Sequence, residues 1–462
     1  MAIRGGRPNE GEGGNVFSRI WRQRRAVLVG AQAPEQQGIW SLEDSLKELG
    51  FLAETAGIVP VGRVSQRLKQ VNPAHYLGKG KVEELAQLRD SLGYDLVVVD
   101  DELAPSQLRN LERELGVPIV DRTALILLIF ANRARTKEGQ LQVELAQYEY
   151  LYSRLAGQWT HLERQTGGLA TRGGAGETQL ETDRRIVRDR IGELRRRLES
   201  VRRHRSQYRK RRARAGLPVV AMVGYTNAGK STLFNVLTEA GVLAENKLFA
   251  TLDPTTRRLR LEGGQEVLLS DTVGFIQKLP TSVVAAFRAT LEELQEADVL
   301  LHVVDITHQQ AYEQSRAVSA VLEELGLQDK LIVTALNKVD LAVSTDPVDG
   351  KARASEDGSR QTLRDLARVY PHGVMVSARR GWGLNRLLAE LSTVLEERWV
   401  EMSVGIPYGH DDLVALFHER GAVDEENYRP DGAHLRGRLP RRLAERFRPY
   451  VEQGSGGPAR AV

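Results

Sequence analysis

The chain has 462 residues and no cysteine, which excludes a disulfide framework and any cysteine-ligated metal centre. It also lacks an apolar run near the ~20 residues that a membrane helix needs. The longest lies in "TALILLIFAN", Thr123 to Asn132, and is far too short. The N-terminal "MAIRGGRPNEGEGGN" has no apolar centre of the signal-peptide kind, and 1–23 reads as a disordered leader. A cytoplasmic protein without a membrane span is the expectation. Aromatic residues are scarce at 6%, yet the hydrophobic fraction of 41% is ordinary for chains with substantial cores. The length suits about three domains at ~150 residues each.

What is present is unevenly spread. The net charge is only +4, but Arg184–Arg214 holds fourteen arginines and Lys210 against Asp189, Glu193 and Glu199. That block therefore carries +12 and the rest of the chain −8. A charge run is often just a solvated helix face. This one would repel itself without a counter-charge, so a polyanion partner is expected.

The first part, 24–138, reads as an α/β domain. "AVLVGA" and "YDLVVVDD" have the pattern of strands; "SLEDSLKELG" and "GKVEELAQLRDSLG" read as helices ending at Gly50 and Gly93. Within "HYLGKGKVEEL", Lys79, Lys81 and the glycines suit either an anion site or, more simply, a tight turn before a helix. From 139 to 214 two apolar series recur at alternating steps of four and three. One is Leu141, Leu145, Tyr148, Tyr152, Leu155, Trp159, Leu162; the other is Val187, Ile191, Leu194, Leu198, Val201, Tyr208, with Arg205 filling one seam position. Such seams predict a long antiparallel helical hairpin. Its tip, 164–180, is the glycine-rich "RQTGGLATRGGAGETQL", and Thr178 with Glu181 reads as a capping box for the second helix. A strand–loop–helix series, 215–400, and a small α+β segment, 401–462, complete the chain.

The strand–loop–helix series carries the chemistry. "VVAMVGYTNAGKST" follows an apolar strand with Gly224, Tyr225, Thr226, Asn227, Ala228, Gly229, Lys230 and Ser231 and then a helix. That is the P-loop: backbone N–H groups cradle phosphates, Lys230 reaches the β- and γ-phosphates, and Ser231 is a Mg²⁺ ligand. "VLLSDTVGF" ends a strand at Asp271, for the metal shell, with Gly274 placed to meet the γ-phosphate. "LIVTALNKVD" supplies Asn337, Lys338 and Asp340, whose carboxylate can accept from both N–H donors on one edge of guanine; "VMVSAR" adds Ser377 and Ala378. Between P-loop and Asp271, "FATLDPTTRR" offers Thr251, Thr255 and Thr256 as the Mg²⁺ threonine, and spacing alone does not choose. Phe275 stands where many GTPases keep a water-orienting glutamine. The water must then be placed otherwise, and Asn227 is suited to holding a monovalent cation that offsets developing charge.

With these motifs in place, the chain resembles the HflX family of translational GTPases, from "HYLGKGKVEEL" through the hairpin to "GYTNAGKST", "FATLDPTTR", "DTVGF" and "NKVD". The resemblance implies an N-terminal α/β domain with a helical arm, a Ras-like P-loop G domain and a short C-terminal domain. It implies GTP as substrate, Mg²⁺ held by Ser231, Thr251 and Asp271, and possible stimulation by K⁺ at Asn227. It further implies binding to the large ribosomal subunit and its RNA, without DNA and as a monomer, and splitting of stalled ribosomes. Catalysis would rest on Lys230, Asn227, Gly274 and Phe275. The tip would probe RNA near the peptidyl transferase centre through Arg164, Gly168, Arg172, Gly173, Gly174, Gly176, Arg184 and Arg185. One departure is Gly174, where the family loop usually has proline. Two other readings stand beside this one. The first is an RNA-binding chaperone whose nucleotide merely stabilises the fold. The second is a tRNA-modifying GTPase, which would want a reactive cysteine that this chain lacks.

Overall fold

The computed structural model describes residues 23–34, 41–165, 175–214, 217–238, 248–249, 251–261, 264–278, 293–342, 369–370, 372–396 and 399–452. The chain divides into two compact units. One is Met1–Leu198 with Lys247–Leu252 and Lys278–Arg288; the other is Glu199–Asn246, Asp253–Gln277 and Ala289–Val462.

The first unit is built on a parallel sheet of order β2-β1-β3-β4, with β1 Arg25–Gln32, β2 Val59–Arg67, β3 Leu96–Val99 and β4 Ile119–Asp121. β1 and β3 are buried along almost their whole length, as central parallel strands covered on both faces must be. Helices α1 Leu42–Thr55, α2 Lys79–Leu92, α3 Pro105–Leu115 and α4 Arg122–Arg133 connect and cover them. α1 does not stop at Gly50. It continues to Thr55, because Gly50 packs its bare Cα toward Leu28, and the left-handed stop comes at Gly57. α2 ends as expected at Gly93, in the left-handed conformation that glycine adopts without strain. The apolar run of "TALILLIFAN" is α4, N-capped by the Asp121 carboxylate on the Ala124 N–H and buried nearly all round.

Two long helices follow, α5 Lys137–Gln165 and α6 Ala175–Arg214. Val187, Ile191, Leu194 and Leu198 are buried and Val201 is half-buried. Across the two helices Arg190 pairs with Glu144 at 2.7 Å, Arg195 with Glu149 at 2.8 Å, and Arg188 donates to the Tyr152 hydroxyl at 2.9 Å. α6 begins at Ala175, so Thr178 sits inside its first turns and is not the cap. Ala175 is the strongest helix former in that stretch and extends the helix past the local capping signal.

In the second unit six strands run in the order β10-β9-β8-β5-β7-β6, with only the β6–β7 pair antiparallel. They are β5 Val219–Gly224, β6 Thr255–Arg260, β7 Glu266–Asp271, β8 Val299–Asp305, β9 Leu331–Asn337 and β10 Gly373–Met375. Val220, Met222, Leu269, Leu301, Val303 and Val333 form the core with Leu233 and Phe234 of α7 Lys230–Thr238 and Leu387 and Leu391 of α10 Leu384–Glu396. Helices α8 Ala311–Glu324 and α9 Val339–Ala342 lie between, and Trp399–Ile406, Ala422–Arg429 and Gly432–Pro440 make a separate antiparallel sheet, order β11-β13-β12. No helix among the described residues is long and apolar enough to cross a membrane.

Candidate functional site

The site of the second unit forms where β5, β7 and β9 end. Strand order reverses at β5, since β7 lies on one side of it and β8 on the other; ligands of open parallel sheets bind outside such a point. β5 ends in Gly224, whose φ is 151° and whose hypothetical β-carbon would lie 2.4 Å from the Val303 carbonyl oxygen. Gly229, at φ 93°, would put a β-carbon 2.3 Å from Asn337 Nδ2. Only glycine closes the loop this tightly at both ends. Between them Asn227 is exposed at φ 64°, a left-handed position that asparagine tolerates better than most residues. The local turn therefore already explains an Asn here, before any cation is considered.

Lys230 is buried and donates to the carbonyls of Gly224 at 3.1 Å and Tyr225 at 2.8 Å. Burial pushes its pKa down from 10.5 to about 8, while the neighbouring Asp271 carboxylate opposes the shift. Behind it His302 of β8 is pushed down to about 4, first by burial and then by the Lys230 charge, so it is neutral at pH 7. Nothing in the sequence marked His302 as a neighbour of the P-loop. Asp271 ends β7 with no solvent exposure, and Ser231 occupies the second position of α7. The Thr272 hydroxyl donates to the Met222 carbonyl and fixes the turn after Asp271.

The base end is equally ordered. Asn337, at the end of β9, donates from Nδ2 to the Ala228 carbonyl at 2.9 Å and accepts the Ala378 N–H on Oδ1 at 3.1 Å. One side chain thus ties the P-loop to the loop after β10. Lys338, at φ 67°, reaches back to Asp305 at 2.6 Å, and the Ser377 hydroxyl donates to Asp340 at 2.6 Å. Ser377 thereby fixes the Asp340 carboxylate, a contact the sequence did not suggest for its side chain. Asn337, Lys338, Asp340, Ser377 and Ala378 are therefore brought together as their motifs anticipate.

The segment after Asp271 lies directly against the P-loop. The Thr226 N–H donates to the Phe275 carbonyl at 2.8 Å, and the Phe275 N–H donates to Gly224 O at 3.0 Å. The Gln277 N–H adds a bond to the Tyr225 hydroxyl at 2.8 Å. Phe275 itself is buried. Thr251 is buried and belongs by packing to the first unit.

The expected RNA-binding residues fare differently. Gly168, Arg172, Gly173 and Gly174 lie outside the described residues, and of Arg164 only the helical backbone is described. Gly176 is part of α6, so it does not supply left-handed freedom to a loop; the helix starts one residue before it. Arg184 is half-buried with its guanidinium 5.6 Å from the Tyr152 ring centre, while Arg185 is exposed.

Three family models match the chain in succession: a GTP-binding GTPase N-terminal region over 43–131, a GTP-binding GTPase middle region over 133–212, and a 50S ribosome-binding GTPase over 219–338. The GTPase HflX of Lacrimispora saccharolytica is 44% identical over 91% of this chain and 95% of its own. That of Escherichia coli K12 is 41% identical over 92% and 96%. Among solved structures, a GTP-binding protein of the archaeon Sulfolobus solfataricus in complex with GDP is 23% identical, with 80% of this chain and 98% of that chain covered and a TM-score of 0.41. The chain is a GTPase and belongs to the HflX family.

Proposed function

We propose that the protein is a GTP-switched factor of the large ribosomal subunit that separates stalled ribosomes into subunits. The observation that carries the reading is the convergence of P-loop, Asp271, Gly274 and guanine-side residues on one sheet edge, in a segment that matches 50S ribosome-binding GTPases. In this reading water attacks the γ-phosphate in line, and Lys230 with the P-loop N–H groups neutralises the charge that develops.

The residues fit a magnesium ion. Ser231, Asp271 and Thr251 present hard oxygen donors, and Asp271 is fully buried beside the ammonium of Lys230, an arrangement that suits a polyanion–cation pair. Held by these residues, Mg²⁺ would neutralise phosphate charge there. Thr251, which is buried, is the member of this set that the family resemblance supplies. A potassium ion at Asn227 would offset the developing negative charge and so compensate in part for the glutamine that Phe275 replaces.

Five segments serve this function: a leader at 1–23, of which 1–22 lie outside the described residues, an α/β domain at 24–138, an arm at 139–214, a G domain at 215–400 and a C-terminal module at 401–462. In this reading the arm is an antiparallel hairpin, with Arg188 on Tyr152 and Arg190 on Glu144 tying its two helices together. Its tip, with Arg164, Gly168, Arg172, Gly173, Gly174, Arg184 and Arg185, enters ribosomal RNA, and the basic length of α6 holds phosphates. The protein acts as a monomer in the cytoplasm. GTP turnover should be slow alone and rise strongly with large subunits; equal rates with and without them would refute the switch. Lys230→Ala distinguishes the passive alternative: splitting retained along with RNA binding would mean that nucleotide only stabilises the fold.

A further inference from the structure

Asp271 stands between two hydroxyl residues, and each is tied to a different element of the second unit. On one side Thr272 donates to the Met222 carbonyl of β5. On the other, Ser270 donates to the Glu293 carboxylate at 2.6 Å and accepts the Thr256 hydroxyl of β6 at 3.3 Å. Glu293 belongs to the helical residues 293–296, which lead into β8. Ser270 and Glu293 are 1% and 7% exposed, so neither can exchange its partner for water. A hydroxyl that donates and accepts at once passes polarisation along such a chain and strengthens both bonds.

Strand pairing alone leaves Asp271 loosely placed. β5 pairs with β7 over Leu268, Leu269 and Ser270, so that ladder stops one residue short of the carboxylate. β6 does reach it, with Thr255 opposite Asp271 and Thr256 opposite Ser270, but β6 is the edge strand of the sheet. Its apolar anchors, Leu259 and the following Leu261, lie at the far end, while Thr255–Arg258 are half-buried or exposed. A strand that buries so little holds its register weakly, and a slip of one residue turns every side chain to the other face. The bonds from Thr256 through Ser270 to Glu293 supply the missing constraint at the Asp271 end. Because side chains alternate along β7, they lie on the face opposite Asp271, Leu269 and Val267. Leu269 and Val267 pack with Leu233 and Phe234 of α7, the helix that the P-loop opens into. The chain therefore braces Asp271 from behind.

We infer that Thr256, Ser270 and Glu293 are positioning residues for GTP hydrolysis: their hydrogen bonds hold the register of β6 on β7 and so set the Asp271 carboxylate where it serves the magnesium shell. None of the three meets nucleotide or metal. Thr256 is thereby occupied behind the sheet, although its residue type alone suits the metal as well as Thr251 does. The inference rests on the proposed place of Asp271 in the magnesium shell.

The test uses the full chain without ribosomes. GDP affinity is measured with Mg²⁺ and with Mg²⁺ removed by EDTA, alongside GTP turnover against Mg²⁺ concentration. The variants are Ser270→Ala, Glu293→Leu and the conservative Glu293→Gln, whose amide oxygen can still accept the Ser270 hydroxyl. Ser270→Ala and Glu293→Leu should raise the half-saturating Mg²⁺ concentration about tenfold and leave GDP affinity in EDTA unchanged. Glu293→Gln should stay close to the wild type. Thermal melting checks folding, and Thr256→Val, at the more exposed end of the chain, should give a smaller rise of the same kind even where a buried variant fails to fold. Folded variants with wild-type Mg²⁺ dependence would overturn the inference. So would an equal loss of GDP affinity with and without Mg²⁺, which marks a purely structural brace, or a Glu293→Gln variant as impaired as Glu293→Leu. A wild type whose nucleotide binding and turnover ignore Mg²⁺ would overturn the metal assignment of Asp271 itself, and the inference with it.

Discussion

Asn337→Ala is the sharpest way to ask whether the nucleotide pocket is assembled before the nucleotide arrives. The side chain makes two bonds to buried backbone: Nδ2 to the Ala228 carbonyl at 2.9 Å and Oδ1 from the Ala378 N–H at 3.1 Å. Ala228 and Ala378 are 1% and 3% exposed, so neither group can turn to solvent once the amide is gone. Leaving a buried donor or acceptor unpaired costs about 1–3 kcal/mol each, hence about 2–6 kcal/mol for the pair. For a folded segment of this size each kcal/mol moves the melting temperature by about 2–4 °C. The apo protein should therefore lose at least ~4 °C in a thermal scan, before any nucleotide is added. GDP affinity should fall as well, because the P-loop and the loop after β10 lose their common tie. A variant that bound GDP poorly yet melted like the wild type would refute this reasoning and confine Asn337 to ligand binding.

Other perturbations follow from the same structure. Arg122→Ala leaves Glu48 and Asp100 buried without their guanidinium, and the first unit should lose about 3–5 kcal/mol in urea unfolding; an unchanged midpoint would contradict the buried triad. Lys230 has a folded pKa of about 8 against 10.5 when free, so below pH 8 the buried charge is fully present and its desolvation cost disappears as pH rises toward 10.5. Apo stability should accordingly gain from this group between pH 8 and 10.5. Phosphate binding needs the charged form, so nucleotide affinity should fall roughly tenfold per pH unit above about 8; a flat profile to about pH 9.5 would show that Lys230 is not the titrating group. Arg195 and Arg196 lie exposed on α6, and replacing both with glutamine should lower the slope of log affinity for RNA against log salt by about 0.7–0.9 for each phosphate no longer neutralised. An unchanged slope would place the RNA elsewhere on the chain.

Much of this site was legible because its parts are short, contiguous and tied to strand ends. Gly224 to Ser231, Asp271, Asn337 and Asp340 each follow an apolar run that could only be a buried parallel strand, and the P-loop and base-side groups converge accordingly. What escaped was set by partners distant in sequence. Phe275 bonds to the P-loop some fifty residues earlier through its backbone, which carries no residue signature. Lys278 meets Asp100 across 178 positions, and no local pattern marks such a pair. Helix ends differ from the local signals where packing overrides a stop: Gly50 fits against Leu28 inside a continuing helix, and Ala175 starts α6 a turn before Thr178. The shift of α6 also moves Gly176 from the expected loop into the helix.

The central claim is that GTP, and not GDP, makes this chain a ligand of the large ribosomal subunit. Co-sedimentation of the full chain with purified large subunits measures it directly, in a non-hydrolysable GTP analogue, in GDP, and with Lys230→Ala. The account predicts that the protein pellets with subunits in the analogue, stays in the supernatant with GDP, and fails to pellet when Lys230 is removed. Equal pelleting in both nucleotides, unaffected by Lys230→Ala, would contradict it.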